Sequence, residues 1–407
     1  MRISVIFLVI LLLSCSKKQD AIETNNTKTP IWSQPLSDGS DYIINMTSIP
    51  IYENIALFPG IENNIKNFNG LDINTGNIIW QTENTDGLNA GIRNYSFQDN
   101  AYFDNFSKQK SIKISTGATN WNFDSGNPVV SGNNFGIDHT LYVNGKMYKQ
   151  DGNHCSCVYS ANLNAADSLE LIVCPEYSFN YAMATGLYGS IGTIYPFIEN
   201  GDTLLFIGFS EAEPINRTIP FWGLYNQSKK QWEIERNPVG NSIAGFGHSL
   251  FYYLDKFYFS ASRGVYCFDR YNGEEIWHKD FQYGFSVSGL LLIEEHGILL
   301  GTNQDKRTYS FNLENGDILW ETETASTGSI MYYQDDIAYF TGGSTGKLHA
   351  LDIHTGELLW AIESPDLKND DFAVFSPQIN GIPAKNGEKG KIFVSSFLSA
   401  FCFEAIN

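Results

Sequence analysis

The sequence predicts an all-β fold, an eight-bladed β-propeller of four-stranded antiparallel blades, on three observations. A ten-residue pattern of strand, Gly turn and Trp recurs along the chain. Its copies stand 40 to 60 residues apart. The last strand of the chain lacks a partner that the first residues of the folded part can supply. The clear copies are LDINTGNIIW, IKISTGATNW, FDRYNGEEIW, FNLENGDILW and LDIHTGELLW, ending at Trp80, Trp121, Trp277, Trp320 and Trp360. Two weaker copies, LNAADSLELI and GLYNQSKKQW, end at Ile172 and Trp232. This period is that of a propeller blade.

Each element has a local reason. Segments such as HALDI and VYCFD are rich in apolar and aromatic residues and read as strands. Gly76, Gly117, Gly273, Gly316 and Gly356 share one position, four before the Trp, where the turn calls for positive φ. Asp72, Asp269 and Asp352 open the turn, where a short carboxylate accepts turn N–H groups. The Trp strand follows. Upstream of each unit lies another strand: YFDNF, LLFIGF, FYFSAS, ILLGTN, IAYFTG and IFVSSF. A lone blade cannot bury both faces, whereas a ring of blades can. One large side chain at a fixed place per unit is then a wedge between blades. That role is expected of Trp32, Trp80, Trp121, Trp232, Trp277, Trp320 and Trp360.

Closure sets the count. The C-terminal FCFEAIN aligns with YCFDRYN, and the chain ends where the turn belongs; IWSQPL, with Trp32, supplies the missing outer strand. One blade completed by both termini leaves no free edge. Eight blades result, with seven as the alternative because two copies are weak.

The N-terminus is an address. Arg2 and the apolar stretch Ile3–Leu13 form a signal segment too short to span a bilayer. Leu12-Leu13-Ser14-Cys15 resembles a bacterial lipobox, with Cys15 as the lipidated residue; a plain secretory signal is the alternative. The expected division is a signal peptide over 1–14, a flexible tether over 15–30 and one propeller domain over 31–407.

Composition excludes some functions. The 26 Lys and Arg stand against 45 Asp and Glu, a formal net charge of -19. Nucleic-acid binding needs a basic footprint, which this chain lacks. Aromatic residues make up 14%, too many for global disorder.

The "A-L-D-x-x-T-G-x-x-x-W" pattern resembles the repeat of the pyrroloquinoline-quinone-type (PQQ-like) β-propellers, over essentially Trp32 to Asn407. Two groups of relatives carry it: the large quinoprotein dehydrogenases, and the lipoprotein propeller of the outer-membrane barrel assembly machinery. Size, anchor and blade count are similar to the second. The first group's adjacent cysteine pair is missing here. The resemblance therefore implies a non-enzymatic protein, with no cofactor and no catalytic residues.

Candidate sites are few. Gly342-Gly343-Ser344-Thr345-Gly346 matches the hydrolase G-x-S-x-G pattern but joins two strands, so a β-turn is expected. No His pair has metalloprotease spacing, and no metal site is expected on local motifs. Cys267 and Cys402 fill the same slot in non-adjacent blades and read as buried thiols. A turn at Asn164–Asp167 would set Cys157 opposite Cys174, and a disulfide suits an exported protein. The rival is a metal site of His154, Cys155, Cys157 and Cys174. The longest spacing holds PEYSFNYAMATGLYGSIGTIYPF, residues 175–197, whose Tyr177, Phe179, Tyr181, Tyr188 and Tyr195 suit a binding loop. The alternative is that these are strand residues of a divergent blade.

The function expected from these readings is a monomeric, lipid-anchored scaffold of the bacterial cell envelope, at the outer membrane. It would bind another envelope protein and act in outer-membrane protein assembly. A surface glycan- or small-ligand-binding lipoprotein is the alternative, and a quinone-dependent oxidoreductase comes third.

Overall fold

The computed structural model describes residues 28–43, 46–83, 85, 93–105, 108–124, 142–143, 146–150, 157–162, 169–174, 190–212, 218–240, 246–261, 263–325 and 329–406. These form 32 strands in eight four-stranded antiparallel sheets, an eight-bladed propeller. The seven-blade alternative falls, because both weak copies build full blades.

β1 (Trp32–Pro35) belongs to the last blade. Blade 1 is β2 (Ile51–Tyr52), β3 (Ile55–Glu62), β4 (Ile65–Asp72) and β5 (Ile78–Gln81). Blade 2 is β6 (Arg93–Phe97), β7 (Asn100–Asn105), β8 (Lys108–Lys113) and β9 (Thr119–Asp124). Blade 3 is β10 (Tyr142–Val143), β11 (Lys146–Gln150), β12 (Val158–Asn162) and β13 (Leu169–Val173). Blade 4 is β14 (Ser190–Glu199), β15 (Asp202–Ala212), β16 (Thr218–Asn226) and β17 (Gln231–Pro238). Blade 5 is β18 (Phe246–Tyr253), β19 (Lys256–Ala261), β20 (Gly264–Asp269) and β21 (Glu275–Asp280). Blade 6 is β22 (Phe285–Ile293), β23 (Ile298–Asn303), β24 (Arg307–Asn312) and β25 (Ile318–Glu323). Blade 7 is β26 (Tyr332–Gln334), β27 (Ile337–Thr341), β28 (Leu348–Asp352) and β29 (Leu358–Ile362). Blade 8 is β30 (Phe375–Ile382), β31 (Lys391–Ser396), β32 (Ser399–Glu404) and β1, with Trp32 opposite Cys402.

The burial pattern explains the sequence pattern. Second and third strands are covered on both sides by neighbouring blades, so they read as apolar runs: β23, ILLGTN, is buried throughout. Fourth strands lie at the rim and alternate, as β17 does in QWEIERNP. Adjacent blades share their cores. Phe68 of blade 1 stacks on Phe103 of blade 2 at 4.3 Å, and Phe206 and Trp222 of blade 4 pack with Phe257 and Phe259 of blade 5. At the closing seam, Phe58 and Leu71 of blade 1 join Phe393 and Cys402 of blade 8.

Since the strands alternate in direction, the turns from first to second strand and from third to fourth emerge on one face of the ring. The Gly turns lie there. Gly76, Gly117, Gly273, Gly316 and Gly356 have φ of 71–74°. Asp352 shows the carboxylate's part, accepting the His354 and Thr355 N–H groups at 3.0 and 2.8 Å.

Four tryptophans dock on the turn of the next blade. The indole N–H groups of Trp32, Trp80, Trp277 and Trp320 donate to the carbonyls of Ile73, Ile114, Leu313 and Ile353 at 2.8–3.1 Å. Their rings lie flush on Gly76, Gly117, Gly316 and Gly356, where a Cβ would meet ring carbon at 2.4–2.7 Å. Glycine is therefore needed twice over, for its φ and for the absence of a side chain. The turn that follows Trp121 in blade 3 lies outside the described residues.

One tryptophan departs from the wedge role, and another fills it without docking on a Gly turn. Trp232 packs edge-on against Tyr225 of its own blade at 5.2 Å, while Ile234 and Asn237 reach the Gly273 turn in its place. Trp360 packs between blades 7 and 8, in one core with Phe375, Phe401 and Phe403, and its buried indole N–H is without a hydrogen-bond partner. Lys28 instead lies over its ring at 4.9 Å and donates to the Glu404 carbonyl. The expected tether to residue 30 is thus held to the ring from Lys28 onward.

Cys157 and Cys174 are joined by a disulfide across the β12–β13 pair, with Cα atoms 4.1 Å apart. The register is Val158 opposite Val173 and then shifts by one residue. Reduction should lower the unfolding free energy by about 3 kcal/mol, the loop-closure value for this sequence separation. Denaturant titration with and without reductant measures it, with alkylation and mass spectrometry to verify the oxidised state. Cys267 and Cys402 are buried free thiols on third strands of blades 5 and 8, and burial pushes both up to about 12. Cys15, His154 and Cys155 lie outside the described residues.

Candidate functional site

The first strands of blades 4, 5 and 6 contact one another, which places them nearest the axis. They help enclose a cavity of about 440 Å³. Its lining comes from the ends of the first strands nearest the turn face: Tyr195 of β14, Phe251 and Tyr252 of β18, Leu290–Leu292 of β22, Tyr332 of β26 and Asn380 of β30. Glu294 and Glu295, in the short 3-10 turn after β22, add two carboxylates. Burial raises the phenols of Tyr195 and Tyr332, so both remain neutral. No Lys or Arg stands among the described lining residues.

Tyr195 was expected in a binding loop. The structure puts it half-buried on β14, since residues 190–197 of the aromatic insertion belong to that strand. Tyr177, Phe179, Tyr181 and Tyr188 lie outside the described residues. Ser344 sits exposed in the turn between β27 and β28, where the Gly346 N–H donates to the Gly342 carbonyl at 2.7 Å. It is a turn residue with no helix behind it.

Beside the cavity, the seam of blades 4 and 5 carries a charge network where other seams carry a tryptophan. Arg270 follows Asp269 in the turn, at the position that Ile73, Leu313 and Ile353 fill elsewhere. Its guanidinium, 4% exposed, binds Glu199 at 2.8 and 2.6 Å and Glu233 at 2.8 Å. Tyr252 donates to Glu199 at 3.0 Å and to Asp255 at 3.1 Å; burial and these carboxylates push its phenol well above its ordinary value. Tyr271 also donates to Asp255, at 3.3 Å.

Around this network the turn face exposes apolar side chains. Leu254 is 70% exposed, Tyr271 61% and Ile198 52%. Leu254 and Asp255 form the β18–β19 turn with φ of 48° and 57°. Primed hairpin turns favour Asn, Asp or Gly at such positions. An exposed leucine held in the left-handed region is strained and serves no packing need here.

The structure also brings together His296, Asp336 and His354, from three separate turns of blades 6 and 7. No spacing in the sequence signals this cluster.

Residues 224–406 match the family model described as outer membrane protein assembly factor BamB. Among solved structures, BamB from Moraxella catarrhalis aligns with 93% of this chain and 98% of its own, at 14% identity and a TM-score of 0.55. The quinohemoprotein alcohol dehydrogenase from Comamonas testosteroni aligns over 93% of this chain and 76% of its own, at 10% identity and a TM-score of 0.62. The computationally designed protein Ika8 covers 91% of this chain with all of its own, at 9% identity and a TM-score of 0.60. Identities this low speak for the fold alone. No curated protein matches the chain by sequence. The Gly-turn and Trp repeat and the eight sheets agree on an eight-bladed β-propeller, whose residues 224–406 match the family model of that assembly factor.

Proposed function

We propose that this protein is a lipid-anchored envelope propeller that serves as a non-enzymatic, protein-binding scaffold in outer-membrane protein assembly. The observation that carries the reading is the exposed apolar group Leu254, Tyr271 and Ile198 around the Arg270 network. Interfaces favour aromatic and apolar anchors beside a fixed Arg. The family model's match supports the assembly role, and it covers both Leu254 and Tyr271. The lipobox ending at Cys15 supports the anchor and the outer-membrane location.

The test is crosslinking and affinity purification of the lipidated protein from its native membranes, followed by mass spectrometry. Recovery of a β-barrel assembly component is expected. Leu254→Asp with Tyr271→Ala should cut that recovery at least about tenfold while the unfolding midpoint stays put, as loss of hot-spot anchors does. Recovery only of transport or glycan-handling proteins, or of nothing specific, would overturn the assembly role. A second reading has its own observation. Tyr195, Tyr252 and Tyr332 with Glu294 and Glu295 suit a neutral polyhydroxylated ligand in the cavity. Glycan binding that is lost in Tyr332→Ala would favour it.

A further inference from the structure

We propose that His296, Asp336 and His354 form a surface site for one divalent transition-metal ion of the Zn²⁺ class, across the seam of blades 6 and 7. The His296 Nε2 lies 2.9 Å from Asp336 Oδ1, and the His354 Nε2 lies 3.4 Å from the same oxygen. The three ligand atoms all fall within 4.8 Å of one another. A tetrahedral ion with bonds of about 2.0–2.1 Å needs ligand atoms about 3.4 Å apart. Small side-chain rotations therefore suffice. The two rings stand edge to face, 84° apart with centroids at 4.6 Å, so their lone pairs can converge on one point instead of stacking.

Each ligand sits on a turn with a fixed backbone. His296 closes the 3-10 turn, ahead of Gly297 at φ 62°. Asp336 is the second residue of the β26–β27 turn, at φ 62°. His354 lies in the Gly356 turn, where Asp352 accepts its N–H. The turns are exposed enough for an ion to enter, with side chains 30–52% accessible. Two imidazoles and one carboxylate select Zn²⁺-class ions over Ca²⁺ or Mg²⁺, which prefer all-oxygen shells. The fourth position is left to water.

The test is calorimetric titration of the chelator-treated, folded full chain with Zn²⁺. One ion per chain is expected, removable by chelator. His296→Ala and His354→Ala should each weaken binding at least about tenfold. His354→Gln and Asp336→Asn should act in the same direction, and unchanged thermal unfolding of the ion-free variants would show that folding is not the cause. His278→Ala, at the exposed histidine beside Glu275 on β21, should leave the site unchanged. No saturable binding, or a bound ion indifferent to both His296→Ala and His354→Ala, would overturn the proposal.

Discussion

Arg270→Ala should lower the unfolding free energy by about 3–5 kcal/mol, the loss expected when one partner of a buried ion cluster is removed. The guanidinium is nearly inaccessible and, among the described residues, is the only cation bonded to both Glu199 and Glu233. Its loss would leave two neighbouring carboxylates of blade 4 uncompensated at the seam. Urea titration at neutral pH reads the loss directly. Adding Glu199→Gln and Glu233→Gln to Arg270→Ala should recover much of it, because the uncompensated charge disappears. A substitution cost that these two changes fail to relieve would mean that Arg270 acts through packing of its stem.

The pH dependence has a definite sign. Burial alone would raise the Glu233 carboxyl, but hydrogen bonds from Asn226 and Arg270, with the charge of Arg270, hold it below its ordinary value of 4.5. A depressed folded-state value makes the ionised group stabilising. That contribution is complete above pH 4.5 and is lost as pH falls below it, through the folded-state value. In Arg270→Ala the slope should reverse, since protonating Glu233 would then relieve repulsion. Stability measured from neutral pH down to mild acid, in both proteins, checks this.

Trp277→Ala should cost about 3–5 kcal/mol, the usual range for truncating a buried aromatic. Trp277 is 7% exposed, lies on Gly316 of the next blade and donates to the Leu313 carbonyl at 3.0 Å. Truncation would open a void at a seam and leave that carbonyl without its donor. Gly316→Ala attacks the same contact from the other side, because its Cβ would stand 2.5 Å from the indole. Trp232→Ala should cost less, about 1–3 kcal/mol, since this side chain touches its own blade and not the next turn. Chemical denaturation of the two Trp variants side by side provides the comparison. Equal costs would mean that docking on the Gly turn adds nothing to burial.

The contrast between Trp277 and Trp232 shows what could be read from the chain alone. Trp277 sits in FDRYNGEEIW and meets the intact turn of FNLENGDILW, so two regular copies predict their own contact. Trp232 ends a weak copy, and the turn of the next blade carries Arg270 in place of Ile or Leu. Its sequence marks a fourth strand correctly but does not say what that strand touches. The same holds for Trp360. Its own copy is regular, but the copy does not show that Lys28, from a segment that reads as a tether, covers its ring. Tyr195 was legible as an aromatic outside the repeat, and only the pairing of β14 with β15 shows it facing the cavity.

The sequence by itself determined the blade period, the Gly turns with positive φ, the strand order within each blade and closure by both termini. These are local properties, written in residues a few positions apart and repeated often enough to be recognised. Only the tertiary structure decided which seam is held by Trp and which by Arg270, where the cavity lies, and that His296, Asp336 and His354 meet. Those facts depend on side chains from different blades arriving at one place. The ring brings them together across 18 to 71 residues of sequence, and no period in the chain encodes a contact made once.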